Sequence, residues 1–340
     1  MEHGGTVEYG GGCLRERWSA HRGPSKAGRS AQRRVSAVVP GEIHGGDGAD
    51  QKSGGSNRKG SVTNEKIALI GVGFMGGSLA RALKKKFPGV TVAGFARNSR
   101  SRQKLQRLGL VDKVSSDLEE VVREADYVVL SLPVYVITEY MQKISKVLKA
   151  GCVVFDLGST KQYIHSQAKR RLPRKVKFIG CHPLCGSEKS GAEFSREDLY
   201  RGSVCIMTSS PRSSGTRQVK KMWNQLGATV VFLTPAKHDR LLSSLSHLPH
   251  VISFCLTSCT PLTYAVQFPK SLKELTRISG SPPQVWAEIF LSNKNFLLQD
   301  IRKFREELDR AAQLISRGRQ EELGKWIRKA NSRHAAIQQG

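Results

Sequence analysis

No run of apolar residues here approaches the 18 or more that a membrane-spanning helix needs, so none is expected. Acid is scarce: 28 Asp and Glu stand against 55 Lys and Arg, a formal net charge of +27. That balance alone would suit a nucleic-acid-binding scaffold. Aromatics, however, are only 7% of residues and do not interleave with the basic clusters (Lys84 to Lys86, Arg170-Arg171, Lys220-Lys221, Arg302 to Arg305). Scattered cations without stacking platforms read as solvated surface around a site for anionic small molecules. The seven cysteines are odd in number, and most sit in apolar contexts. Reduced, buried thiols in a cytoplasm are therefore expected rather than a disulfide framework. Cys181-His182-x-x-Cys185 lacks a fourth ligand and zinc-like spacing, so no metal site is expected.

Residues 1–61 lack sustained apolar periodicity and hold 14 of the 33 glycines. They read as a disordered Gly/Arg/Ser-rich tail, or as sequence ahead of a true start near Val62. With acids at Glu2, Glu8, Glu16, Asp47 and Asp50 and no apolar core run, they make neither a signal nor a transit peptide.

The most informative stretch is Lys66 to Ala80, KIALIGVGFMGGSLA. A short apolar strand runs into Gly71-x-Gly73-x-x-Gly76 and then a helical pattern. Gly71 permits the tight bend, Gly73 lets backbone approach a pyrophosphate, and Gly76 lets the helix sit close to the sheet. Free N–H groups at the helix start, around Phe74 and Met75, meet phosphate charge. Further strand-like runs (90–96, 126–133, 151–158, 176–181, 203–208, 229–233) alternate with helical patterns. That alternation specifies an α/β, Rossmann-type doubly wound parallel sheet over residues 62–235. From residue 236 the alternation stops, and long helical stretches (237–257, 284–317, 319–333) predict an all-helical second domain over 236–333. Its apolar positions suit a dimerisation interface as well as a core.

Ligands of open α/β sheets bind at the carboxyl edge. Ser131 and Pro133 end one strand there, Ser159 follows another, and His182 ends the next. A histidine so placed suits a proton acceptor tuned near neutral pH. Where an acid usually grips the ribose of NAD, this chain has Ala96-Arg97-Asn98-Ser99-Arg100. Arg97 and Arg100 there suit a 2′-phosphate, a slight preference for NADP over NAD.

GVGFMGGSLA, DLGSTK, GCHPLCGSEKSGAE, HDRLLSSLSHLPH, LTRIS and VWAEIFLSNK together resemble the prephenate/arogenate dehydrogenase family of tyrosine biosynthesis, over about residues 65–329. The similarity runs closest to its monofunctional bacterial members. The resemblance implies an NAD(P)-dependent oxidative decarboxylation of prephenate to 4-hydroxyphenylpyruvate. Arogenate or dual cyclohexadienyl specificity is the alternative, and nucleic-acid binding on a Rossmann scaffold the remote one. It implies His182 as the base for the substrate C4 hydroxyl and Ser159 as its hydrogen-bonding helper. Arg277 would bind a substrate carboxylate. His250, with His247, would support the substrate side chain, and Ser187 and Glu188 would lie on a closing loop. Trp286 has two roles open, motif residue or core packing. A homodimer is implied, and neither a chorismate mutase nor an ACT regulatory domain is expected.

Overall fold

The computed structural model describes residues 64–186, 189–261 and 270–339. The proposed tail, Ser187 and Glu188 lie outside the described residues. β1 (Lys66–Ile70) buries four consecutive side chains, as a parallel strand covered on both faces must. Alternation then splits it between two cores. Ile67 and Leu69 join Leu79 and Leu83 of α1 (Phe74–Lys86), while Ala68 and Ile70 join Ile137, Met141 and Ile144 of α4 (Val134–Ile144).

The remaining strands are β2 (Thr91–Phe95), β3 (Lys113–Ser115), β4 (Tyr127–Leu130), β5 (Val153–Asp156), β6 (Lys177–Pro183), β7 (Val204–Met207) and β8 (Thr229–Phe232). They form one sheet in the order β3-β2-β1-β4-β5-β6-β7-β8. The order reverses between β1 and β4, which opens a crevice at their carboxyl ends. α2 (Ser99–Arg107) and α6 (Ser214–Gln225) join α1 on one face. α3 (Leu118–Val122) and α5 (Gln162–Arg171) lie with α4 on the other.

The doubly wound sheet followed by helices matches the expectation, with local differences. β7 runs antiparallel to β6. Among the described residues no α-helix crosses back between them, only a loop carrying a short 3-10 turn at Ala192–Phe194, and the chain re-enters from the carboxyl edge. The short β3 and α3 carried too few residues for a period to register. Beyond β8 every described element is helical: α7 (Pro235–Leu242), α8 (Leu248–Cys259), α9 (Lys270–Thr276), α10 (Pro283–Ser292), α11 (Lys294–Ser316) and α12 (Gln320–Gln339). The expected single helix at 237–257 is interrupted by a π-turn at Ser243–His247, and the one at 284–317 breaks at Asn293. Asn293 is buried and donates from Nδ2 to the Asp239 carbonyl at 2.8 Å, a tertiary demand that overrides helix propensity. This helical part buries little of its apolar surface: Leu291, Leu298, Leu308 and Ile315 are all about half exposed or more. None of its helices is long and apolar enough to cross a membrane.

The glycine turn is built to tight tolerances. Gly71 has φ +95°, and a Cβ on Gly76 would lie 2.2 Å from the Gly71 carbonyl oxygen, whereas Gly73 faces open space. Gly76→Ala should therefore cost about 2 kcal/mol or more, read as a lower denaturation midpoint, because backbone and not a flexible side chain must move. Gly73→Ala should leave that midpoint unchanged. Equal midpoints for both variants would remove this account of the turn.

Candidate active site

A cavity of about 860 Å³ runs along the carboxyl edge of the sheet to the helical part. At one end Gly73, Phe74 and Met75 line it with Ser131 and Pro133. Gly73 is the N-cap of α1, no side chain satisfies the cap, and the first turn carries no acid. A pyrophosphate fits that cradle: the helix offers open N–H groups and nothing occupies the space beside Gly73. Gly71 and Gly76 shape the turn without lining the cavity. Arg97 and Arg100 are exposed just beyond β2. Arg102 donates from Nη1 to the carbonyls of Ala96 (3.3 Å) and Arg97 (2.8 Å), which fastens this turn.

In mid-cavity stands His182, on the last turnout of β6. Its Nδ1 lies 2.8 Å from Nε2 of the fully buried His238, whose Nδ1 lies 2.7 Å from Asp239 Oδ1. Asp239 also accepts the backbone N–H groups of Lys161 (2.7 Å) and Gln162 (2.9 Å), so its carboxylate closes the N-terminus of α5. Burial alone would raise the Asp239 pKa. The His238 bond and those two N–H groups more than reverse it, and the carboxyl is held below its ordinary range. Burial, then the repulsion that a charge on His238 would exert and that of Lys161, holds His182 well below the ordinary imidazole range. Burial depresses His238 as well. Both rings are neutral at pH 7. Beside them Lys161 Nζ, fully buried, bonds Asp156 Oδ2 at 2.5 Å and the Gly158 carbonyl at 2.9 Å. Burial pushes the Asp156 carboxyl up against the pull of Lys161.

Ser159, His247, His250 and Arg277 all line the same cavity as His182. The Ser159 hydroxyl makes no hydrogen bond to His182 among the described residues; the imidazole's partner is His238. His247 is 1% exposed and its Nδ1 takes a bond from Asn293 Nδ2 at 3.0 Å. His250 donates from Nδ1 to the Ser246 carbonyl at 2.9 Å and stacks on Trp286, with ring centroids 3.4 Å apart. Arg277 opens a 3-10 turn, Arg277–Gly280, on the same wall.

A family model described as "Prephenate dehydrogenase, nucleotide-binding domain" matches residues 79–232, and one described as "Prephenate dehydrogenase, dimerization domain" matches 234–329. The chain is 30% identical to the prephenate dehydrogenase of Lactococcus lactis subsp. cremoris, over 79% of this chain and 78% of that protein. It is also 30% identical to the cyclohexadienyl dehydrogenase of Zymomonas mobilis, over 74% and 88%. Among solved structures, prephenate dehydrogenase from A. aeolicus in complex with hydroxyphenyl propionate and NAD+ gives a TM-score of 0.74 at 32% identity, covering 80% of this chain and 98% of that one. The chain belongs to the prephenate dehydrogenase family.

As an oxidoreductase of that family it carries polar groups that the sequence motifs did not single out. His238, Asp239, Lys161 and Asp156 form a buried network behind His182. The signal available was the His-Asp pair two residues after the strand-ending Leu233-Thr234-Pro235-Ala236, and a lysine inside DLGSTK. Their sequence neighbours, Lys237 and Arg240 in one case and Ser159, Thr160 and Gln162 in the other, are themselves polar, so burial does not show in the local pattern.

Depressed histidines make stability depend on pH. His165 and His247 are each lowered by burial to about 4, and His182 and His238 are lowered too. Below their unfolded pKa of about 6.5 the unfolded chain takes protons that the folded one refuses, so stability falls as pH falls from about 6.5 toward 4. Melting temperature should decline steadily across pH 6.5 to 5, before most carboxylates titrate. A flat profile over that window would show these rings protonated in the folded state.

Proposed function

We propose that this chain oxidises prephenate to 4-hydroxyphenylpyruvate with His182 as the base. The observation that carries it is the hydrogen-bond direction at His182. An ionised Asp239 requires Nδ1–H on His238, which leaves His238 Nε2 as acceptor and places the His182 proton on Nδ1. His182 Nε2 keeps its lone pair for the cavity, where it would take the C4 hydroxyl proton. A nicotinamide dinucleotide bound at the glycine turn supplies a hydride acceptor. As the ring carboxylate leaves as CO2, the C4 oxygen becomes phenolic and the proton returns to it, so no proton is lost overall. Ser159 would share the C4 hydroxyl, Arg277 would pair with a substrate carboxylate in the planar manner a guanidinium favours, and His250 would meet the side chain. Ser187 and Glu188 would close over it, with His247 held behind. Phe74, Met75, Ser131 and Pro133 would flank the dinucleotide.

His182→Asn should lower kcat by about 10²–10⁴-fold, with cofactor affinity little changed. Near-normal turnover would remove His182 from the chemistry.

Dual use of arogenate has one specific support: the Zymomonas mobilis relative is a cyclohexadienyl dehydrogenase. We also propose a homodimer closed over the exposed apolar stripe of α11, residues 62–235 and 236–333 as separate domains, and a cytoplasmic setting that suits six free described thiols.

NADP should serve at least as well as NAD. No carboxylate lies between Ala96 and Arg100, and Arg97 and Arg100 are exposed beside the turn that Arg102 fastens. Ala96→Asp should shift kcat/KM toward NAD by adding an acceptor for the diol and repulsion for the phosphate. A wild-type kcat/KM for NAD more than about tenfold above that for NADP, about 1.4 kcal/mol, would leave Arg97 as ordinary surface.

A further inference from the structure

His182 does not stand alone as a base, and what lies behind it is unusual for a buried site. His238 and Asp239 are both 0% exposed, and His238 Nδ1, His238 Nε2 and His182 Nδ1 each have one partner, which leaves only His182 Nε2 open to the cavity. Rings at 5.0 Å between centroids and tilted by 55° bring the two imidazoles edge to edge, the geometry of a shared N–H···N bond rather than of stacking.

The charge balance of the cluster gives this row a second property. Lys161 and Asp156 form one buried pair that sums to zero, whichever of the two carries the proton between them. Asp239 is the remaining buried charge, compensated only by His238 and the N-terminal N–H groups of α5. Asp300 of α11, a further buried carboxylate beside the π-turn, is paired with Arg240, so that pair adds no net charge. From α5, His165 is neutral and bonded to Thr208 Oγ1 at 2.7 Å. From the π-turn, His247 is neutral, and from α8 His250 is depressed by burial. Arg277 lies farther out, on the cavity wall. With both imidazoles neutral the buried cluster carries one net negative charge. A single proton on the imidazole pair brings it to zero, so the site is electrically prepared for the protonated state of its base.

Resting on the reading of His182 as base, we propose that His238, backed by Asp239, is a positioning residue for that base. It locks His182 in the tautomer with Nδ1 protonated and Nε2 bare. Through the shared hydrogen bond it also takes up the charge that His182 gains with the C4 hydroxyl proton. The proton arrives on His182 Nε2 and leaves from it to the phenolic oxygen, and no group is consumed. Asp239 serves twice, as counter-ion to the row and as N-terminal anchor of α5, and that second duty fixes its position whether or not substrate is bound.

Two variants separate this from a packing role. His238→Leu removes the acceptor; kcat should fall by about 10²-fold with KM for substrate and cofactor within about threefold, and the acidic limb of the kcat profile should shift. His238→Gln keeps an acceptor oxygen at the position of Nε2 and should restore kcat to within about tenfold of wild type. Loss of activity in both variants alike, with unchanged melting temperatures, would mean shape and not the hydrogen bond matters, and would overturn the proposal. If His238→Leu keeps kcat while His182→Asn loses it, the proposal falls and the base stands. If His182→Asn keeps kcat, the proposed function itself falls. Should His238→Leu fail to fold, nitrogen-15 imidazole shifts of the wild-type protein decide the matter, with the His182 signal assigned by its absence in His182→Asn. A protonated Nδ1 and bare Nε2 at neutral pH are expected, and the opposite tautomer would overturn the lock.

Discussion

The Asp239 carboxylate ties three parts of the molecule to one point. Its oxygens accept the N-terminal N–H groups of α5 and the imidazole of His238, and the backbone carbonyl of the same residue holds Asn293. A buried carboxylate left unpaired would cost several kcal/mol. Here three donors satisfy it, and two come from a helix N-terminus, where negative charge is favoured. The sheet, the first helix beyond it and the break between α10 and α11 are thereby placed relative to each other by hydrogen-bond geometry as well as by apolar packing. A histidine row hung on such a point has little freedom to rotate, which a base needs if one nitrogen is always to face substrate.

The price of this arrangement is electrostatic. Five titratable groups lie within the same water-poor volume: Asp156, Lys161, His182, His238 and Asp239. Burial opposes charge on the two carboxyls and the two imidazoles, and direct contacts work against that penalty at both carboxyls. Asp156 and Lys161 answer each other, while Asp239 is answered by backbone and by a neutral ring that can become charged. That asymmetry separates the two carboxylates chemically although both end or follow elements at the same sheet edge. One is a closed structural pair, and the other leaves room for a proton to arrive.

Much of the fold was legible because it follows from periodicity. IALI, YVVL and VVFD each read as parallel strands, since a strand covered on both faces has no polar alternation to hide. The glycine turn was legible for steric reasons, borne by Gly71 and Gly76 against backbone oxygens. The reversal of β7 was not, because direction is set by what connects two strands and the loop before it carries no periodic signal. The breaks at Ser243–His247 and Asn293 were hidden for a different reason. Each serves a partner far away in sequence, and local propensity there favours a continuous helix. His182, Ser159, His250 and Arg277 emerged from motif spacing and do share one cavity. His238 and Asp239 stayed silent, since a histidine beside an aspartate on a helix reads as ordinary surface until the sheet edge is folded against it.

The two walls of the cavity differ in how firmly they are built, and that difference has a consequence for recognition. The wall that carries His182 belongs to the close-packed sheet and the satisfied network behind it. The facing wall comes from the π-turn, α8, α10 and the Arg277–Gly280 turn; that last turn buries no side chain, and α8 buries only Ser253. His250 there is held by the Ser246 carbonyl and by the face of Trp286. Substitution there disturbs little else, because few atoms depend on those positions. Proton transfer and side-chain recognition are thus supported by separate parts of the fold. A change at His250 or Trp286 can alter which side chain is accepted while the row from Asp239 to His182 keeps its geometry, whereas a change at Asp239 cannot be confined to the row, since α5 begins on the same carboxylate.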